Sequence, residues 1–293
     1  MIVRALGPSA LRVLAPAKLN LFLEILGKRP DGYHELESLM VTVGLRDELD
    51  FADDPTGQIA LECDDPSLPT DASNLVVLAA QRLRAEAGVD LGARIALRKA
   101  IPAQAGLAGG SSDAAATLAA LNQLWGLGYE TERLGRIAGE IGSDVAFFFR
   151  APSAVCRGRG ERVEAIAVSV PLHFVLVCPT VGVSTAEVYR RLVPPERPRP
   201  IGEALEALRS GNSVELGRTF FNRLQPVAEA IEPGLERVRR ALDDLGPLLD
   251  GHLMSGSGSA YFGLCRDECA AGHAAQHLGT LGLGLARAVT IGP

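Results

Sequence analysis

Cysteine is scarce in this 293-residue chain: there are five, an odd number, and no C-x-x-C pair occurs. That usage excludes a disulfide framework and fits a reducing, cytoplasmic setting. Positive charge is short as well, with 29 Lys and Arg against 35 Asp and Glu, a net charge of −6. A field of that sign repels polyanions and argues against a nucleic-acid partner, although not against a small anionic substrate held by local amides and one or two cations. No apolar run reaches the roughly 20 residues of a membrane span. The longest, from Ala165 to Cys178, is broken by Pro171 and His173. Ala15-Pro16-Ala17 looks like a leader cleavage site, but Pro8 and Arg12 interrupt the stretch before it, so no secretory signal is expected. Repeats of solenoid period and long low-complexity tracts are also lacking.

What is present is a 47% hydrophobic composition, enough for a sizeable core and, at this length, for two fused domains. From Ala17 to Gly27 the residues alternate as in a strand, with Ala17, Leu19, Leu21, Leu23 and Ile25 on one face and Lys18, Asn20, Phe22 and Glu24 on the other. Lys18 and Asn20, two apart, therefore point the same way and suit a cleft. Pro30-Asp31-Gly32 predicts a turn before a second strand at Leu39–Val43, giving a hairpin that carries Tyr33 and His34. A helix is expected over 74–87 and a strand over 93–98. A second helix is expected to begin at Ser111 or Ser112, and a third to run over 132–141 and stop at Gly142. From about Val168 the pattern gives strand, helix, a proline-rich loop at 194–200, more helices and a closing strand, helix, strand set. The order predicts an α+β fold of two domains, 1–167 and 168–293, the second a smaller α/β sandwich.

The stretch Ile101-Pro102-Ala103-Gln104-Ala105-Gly106-Leu107-Ala108-Gly109-Gly110-Ser111-Ser112-Asp113 joins a strand to a helix start. Glycines let backbone N–H groups turn inward and approach a ligand, and the helix adds about half a positive charge at its N-terminus, which suits phosphate. Ser111 and Ser112 have three open roles: capping the helix, bonding a phosphate oxygen, or helping to hold Mg²⁺. No lysine follows the glycines, so this is neither a Walker A loop nor a dinucleotide fingerprint. Cys265, Cys269, His273 and His277 recur every four residues, but ligands strung along one helix spread over roughly 18 Å and cannot converge on a tetrahedral centre. No metal site is expected there.

Pro102 through Asp113 resembles the phosphate-binding motif of the galactokinase, homoserine kinase, mevalonate kinase and phosphomevalonate kinase (GHMP) superfamily. Ala15-Pro16-Ala17-Lys18-Leu19-Asn20-Leu21 is similar to its first motif and Leu253-Met254-Ser255-Gly256-Ser257-Gly258-Ser259-Ala260 to its third. Within the superfamily, Lys18-Leu19-Asn20-Leu21 followed by Arg29-Pro30-Asp31-Gly32-Tyr33-His34-Glu35-Leu36 resembles the branch that phosphorylates a cytidine diphosphate-linked sugar alcohol. Segments 142–148 and 182–189 agree.

The resemblance implies an N-terminal domain like the second domain of ribosomal protein S5 and a ferredoxin-like C-terminal one. It implies a kinase using ATP with Mg²⁺, with the ATP held by Pro102, Ala103, Gln104, Ala105, Gly106, Leu107, Ala108, Gly109, Gly110, Ser111 and Ser112, and by Asn74 and Lys99 near the adenosine. Asp144, by sequence alone a helix cap, becomes the base that takes the proton of the attacking hydroxyl. Lys18, by sequence alone a solvated cation, becomes its catalytic neighbour. Tyr33, His34 and Tyr189 are implied at the cytidine, and Asn20 and Thr185 at polar groups of the substrate. A monomer or weak homodimer is expected. Two other readings stand beside this one: a different kinase of the superfamily, such as one acting on homoserine or a mevalonate derivative, and a nucleotide-sensing or nucleic-acid-binding module that kept the fold without catalysis.

Overall fold

The computed structural model describes residues 1–291. The chain folds into two compact units that interleave along the sequence. One comprises Met1–Ala17, Leu45–Ala103 and Ala108–Ala151, the other Lys18–Gly44, Gln104–Leu107 and Pro152–Pro293.

In the first unit, β1 (Ile2–Gly7), the beginning of β2 (Ala10–Lys28), the end of β3 (His34–Asp54), β4 (Ile59–Cys63) and β5 (Gly92–Arg98) lie in the order β1-β2-β3-β5-β4. β3 and β5 run antiparallel and β4 and β5 parallel. The inward residues Leu49, Phe51, Ile95 and Leu97 are buried. They alternate with charged partners on the other face, where Arg12 donates to Asp50 at 2.6 and 2.8 Å. The helices α1 (Leu75–Ala87), α2 (Gly109–Leu124) and α3 (Thr131–Ile141) complete this unit, with α1 against α2 and both against α3. Ala114, Ala115 and Ala116 are fully buried, and small side chains let the first turns of α2 approach their neighbours closely.

α2 begins earlier than the serines predict. Its first residue is Gly109 and its N-cap is Ala108, which has φ 54° and makes no side-chain cap bond. The helix is entered through a left-handed residue instead of a hydroxyl cap, so neither Ser111 nor Ser112 caps it.

In the second unit the remainders of β2 and β3 form the predicted hairpin. β6 (Ser153–Gly158) pairs with β3, and β7 (Arg162–Ala165) pairs with β6. Both strands of the hairpin run well beyond the predicted segments, because alternation that continues into charged positions such as Glu48 and Asp50 still forms ladder bonds. A separate antiparallel sheet has the order β10-β11-β8-β12. Its strands are β8 (Leu172–Cys178), β10 (Gly251–Met254), β11 (Tyr261–Cys265) and β12 (Leu285–Ile291), while the two-residue β9 (Phe221–Asn222) runs parallel to β2.

The helices of this unit are α4 (Thr185–Arg191), α5 (Gly202–Ser210), α6 (Ser213–Thr219), α7 (Gln225–Ile231), α8 (Leu235–Asp243) and α9 (Glu268–Gly279). α9 lies against β8, β11 and β12. The core beneath them gathers Val175, Val177, Val188, Leu235, Tyr261, Ala274 and Leu278.

Candidate active site

The glycine-rich loop leaves β5 and returns at α2. Its tip, Ala103 and Gln104, is exposed, while Ala105, Leu107 and Gly109 are buried. Three of its residues have positive φ: Gln104 at 54°, Gly106 at 75° and Ala108 at 54°. Left-handed backbone costs an ordinary residue roughly 1–2 kcal/mol, so two non-glycine residues held there mark a segment shaped by its surroundings.

At the helix end of the loop, in the first unit, Ser112 N donates to Ala108 O at 2.9 Å. The N–H groups of the residues before it are the turn that an α-helix leaves without intrahelical acceptors. Among the described residues, Ser112 Oγ is buried without a hydrogen-bond partner, a polar atom that a phosphate oxygen or a hydrated cation would satisfy. A β-carbon on Gly109 would stand 3.0 Å from Ile101 Cγ2 and 3.2 Å from Lys99 Nζ, so a side chain here would have to push those two aside. Lys99 does not extend into solvent: its ammonium donates to Asp47 Oδ2 at 2.5 Å and Asp113 Oδ2 at 2.8 Å. Asn74 is the N-cap of α1, its Oδ1 accepting from Val76 N at 2.9 Å and its Nδ2 donating to Pro69 O at 2.7 Å.

Asp144 is half-buried in the turn that follows α3. The short 3-10 segment after it, Ala146–Phe149, starts on Val145 without a side-chain cap bond.

In the second unit a polar knot forms around Lys18, which is 3% exposed. Its ammonium donates to Asn20 Oδ1 at 2.5 Å and to Gly106 O at 2.7 Å. Asn20 Nδ2 donates to Ser38 Oγ at 2.8 Å, and Ser38 Oγ passes its own hydrogen to Phe22 O at 2.7 Å. Ser255 Oγ accepts from Asn20 N at 3.3 Å and donates to Gly106 O at 3.0 Å. Buried polar groups tied this completely hold one geometry. The glycine turn 254–260 closes against the loop, with Ala260 N donating to Ala105 O at 3.0 Å. Asn222 secures the turn from behind, Nδ2 donating to Met254 O at 2.8 Å and Gly256 O at 2.7 Å.

Near the hairpin turn, the His34 and Tyr189 rings lie 5.4 Å apart, tilted by 36°. Tyr33 is 54% exposed, and the Arg159 guanidinium stands 4.8 Å over its ring. Burial, and then the charge of Lys28, pull the His34 pKa below its ordinary value, which favours the neutral imidazole. Thr185 Oγ1 lies 2.7 Å from Ser257 Oγ in the glycine turn.

Within this unit the structure therefore brings Lys18, Asn20 and Gly106 together, pairs His34 with Tyr189, and joins Thr185 to the third motif. Sequence reasoning missed Ser38, Asn222 and Arg159 as supporting residues. Ser255 lay inside a quoted motif, but the other three carry no local signal, because each acts through a partner distant in the chain.

Two family models match the chain, the GHMP kinases N terminal domain over residues 74–151 and the GHMP kinases C terminal over 204–282. A 4-diphosphocytidyl-2-C-methyl-D-erythritol kinase of Pelotomaculum thermopropionicum is 44% identical over 256 residues, 87% of this chain and 88% of that one. A crystal structure of 4-(cytidine 5'-diphospho)-2C-methyl-D-erythritol kinase superposes with TM-score 0.80 at 38% identity, covering 96% of this chain and 99% of the other. A homoserine kinase from Cytophaga hutchinsonii shares the fold, with TM-score 0.78, 22% identity and coverage of 99% and 96%. With both motif-bearing halves matched and identity well above the level at which folds alone persist, the chain belongs to the GHMP kinases and, within them, to the 4-diphosphocytidyl-2-C-methyl-D-erythritol kinase family.

Proposed function

We propose that this kinase transfers the terminal phosphoryl group of ATP to the 2-hydroxyl of 4-diphosphocytidyl-2-C-methyl-D-erythritol, forming its 2-phosphate and ADP on the non-mevalonate route to isoprenoid precursors. The observation that carries the reading is Lys18: a buried ammonium held by Asn20 and by the carbonyl of Gly106 in the glycine-rich loop. A cation fixed there opposes the charge that spreads over a phosphoryl group in transfer, and phosphoryl transfer asks a protein mainly for alignment and electrostatics.

Asp144 is the proposed base for the attacking hydroxyl. Loop residues 102–112 hold the ATP, its phosphates through the backbone N–H groups of the loop that have no partner within helix α2 (Pro102 has none to offer), and Ser112 Oγ offers a ligand to a phosphate oxygen or to Mg²⁺. Magnesium, when bound with ATP, neutralises charge on the phosphates. Tyr33, His34 and Tyr189 take the cytidine, with Asn20 and Thr185 on polar groups of the substrate. The polar ends of Asn74 and Lys99 already have protein partners, so both stay near the adenosine in this reading through backbone and stem. The same reading takes the enzyme to be cytoplasmic, a monomer or weak homodimer, with no nucleic-acid partner. Among the described residues no helix is long and apolar enough to cross a membrane.

ADP release measured with ATP, Mg²⁺ and one acceptor at a time tests the reaction. Release is expected with the cytidyl alcohol and not with homoserine or mevalonate, and the product phosphorus should couple to the 2-position in NMR. Turnover of homoserine or mevalonate without turnover of the cytidyl alcohol would overturn the assignment.

A further inference from the structure

We propose that Asp47, Lys99 and Asp113 form a clamp that grips both ends of the glycine-rich loop and positions it for the nucleotide phosphates. All three belong to the first unit. Asp47, fully buried in β3, accepts with Oδ1 from Ala100 N at 2.6 Å and Ile101 N at 2.8 Å. Its Oδ2 accepts from the Lys99 ammonium at 2.5 Å, and that ammonium reaches Asp113 Oδ2 at 2.8 Å in the first turn of α2. Lys99 N is in turn held by Asp64 Oδ1 at 2.9 Å. The chain is thus pinned at residues 99–101 as it enters the loop and at 113 just after it leaves. Between the pins lie the three positive-φ residues. Backbone of that kind persists only where its surroundings over-determine it, and two fixed ends supply that constraint. The Lys99 ammonium also lies directly under Gly109, the first residue of the helix.

The electrostatics agree with a positioning role. Two carboxylates share one ammonium away from water. Burial, opposed by the Lys99 charge and joined by that of Asp47, pushes the Asp113 carboxyl up to about 7. Burial in turn lowers the pKa of the Lys99 ammonium, but the charges of Asp113 and Asp47 outweigh it and raise that pKa, and the bond from Lys99 to Asp113 joins the loop ends. Replacing Asp113 by a neutral residue leaves Lys99 paired with Asp47, so such variants are expected to fold.

The proposal rests on the reading of the loop as the phosphate site, and the experiment separates the two. In the wild-type enzyme, ADP should slow amide hydrogen exchange in residues 106–112; no slowing would overturn the loop reading and the clamp with it. Given slowing, Asp113→Ala should raise KM for ATP about tenfold, below the roughly 10²-fold that a 1 Å misplacement can cost, with KM for the cytidyl alcohol unchanged and the melting temperature close to wild type. Asp113→Asn, which still accepts from Lys99, should restore KM to within about threefold of wild type, since the hydrogen bond and not the charge does the holding. Asp113→Ser, whose hydroxyl is too short to reach the ammonium, repeats the disruption should the alanine variant be recovered unfolded. A folded Asp113→Ala or Asp113→Ser enzyme with wild-type KM for ATP overturns the clamp while leaving the loop reading standing.

Discussion

The carbonyl oxygen of Ser255 stands 2.1 Å from the point that a β-carbon on Gly106 would occupy. The phosphate loop and the glycine turn of the third motif can meet at that distance because position 106 has no side chain, and Gly106 also has φ 75°, where other residues are strained.

Gly106→Ala therefore carries two penalties, a collision with backbone that cannot rotate away and a left-handed conformation. The expected cost is about 2–4 kcal/mol of stability, read as a lower melting temperature, together with loss of most ATP-dependent turnover. Gly110 is the contrast: a β-carbon there meets only Leu75 Cδ1, at 3.7 Å. Gly110→Ala should hold its melting temperature, and an equal drop in both variants would remove the steric argument.

Asp144→Ala tests the proposed base. Turnover should fall by about 10²- to 10⁴-fold, while calorimetric affinity for a non-hydrolysable ATP analogue stays within about twofold, since an interaction made only in the transition state lowers kcat without weakening ground-state binding. Retention of more than about a tenth of wild-type turnover, far above what loss of a general base leaves, would remove Asp144 from that role.

Glu24 offers a pH-dependent test of the second unit. It is fully buried, with Oε1 accepting from Arg223 Nε at 2.8 Å and Ile25 N at 2.7 Å, and Oε2 from Arg223 Nη2 at 2.7 Å and Arg199 N at 2.8 Å. Burial raises its pKa, but the Arg223 bond, the two backbone N–H groups and the Arg223 charge outweigh it and leave the carboxyl below the usual 4.5. A depressed folded pKa means the stabilisation is fully present above the unfolded value and is lost as pH falls through the folded one. Urea unfolding of wild type and Glu24→Gln should thus differ most near neutral pH, and the gap should shrink below about pH 4.5. A gap that widens on acidification contradicts the sign. Arg223→Ala, which leaves the buried carboxylate with only its two backbone N–H partners, should cost about 1.5–3 kcal/mol at pH 7.

Much of this was legible in the residues. The alternation from Ala17 to Gly27 is strand, the hairpin carries Tyr33 and His34, and the glycine-rich stretch opens a helix. What alternation could not tell is that the face bearing Lys18, Asn20, Phe22 and Glu24 is as buried as the apolar one, at 3, 1, 1 and 0% exposure. A period of two separates faces but carries no information on what covers each. The start of α2 is hidden from the sequence for a related reason: a serine signals a cap by its chemistry, whereas the left-handed entry at Ala108 is imposed on an alanine by the surrounding fold.

The order of the three motifs along the chain, the scarcity of cysteine and of positive charge, and the candidate base, cation and aromatic pair are properties of the sequence alone, and they suffice to recognise the family. Only the tertiary structure decided which partner each polar group takes. Lys18 meets Gly106 across 88 positions, and Lys99 meets Asp47 across 52. The reason is physical: a hydrogen bond is selected by distances of a few tenths of an ångström, and only the closed fold sets distances that fine between residues so far apart in the chain.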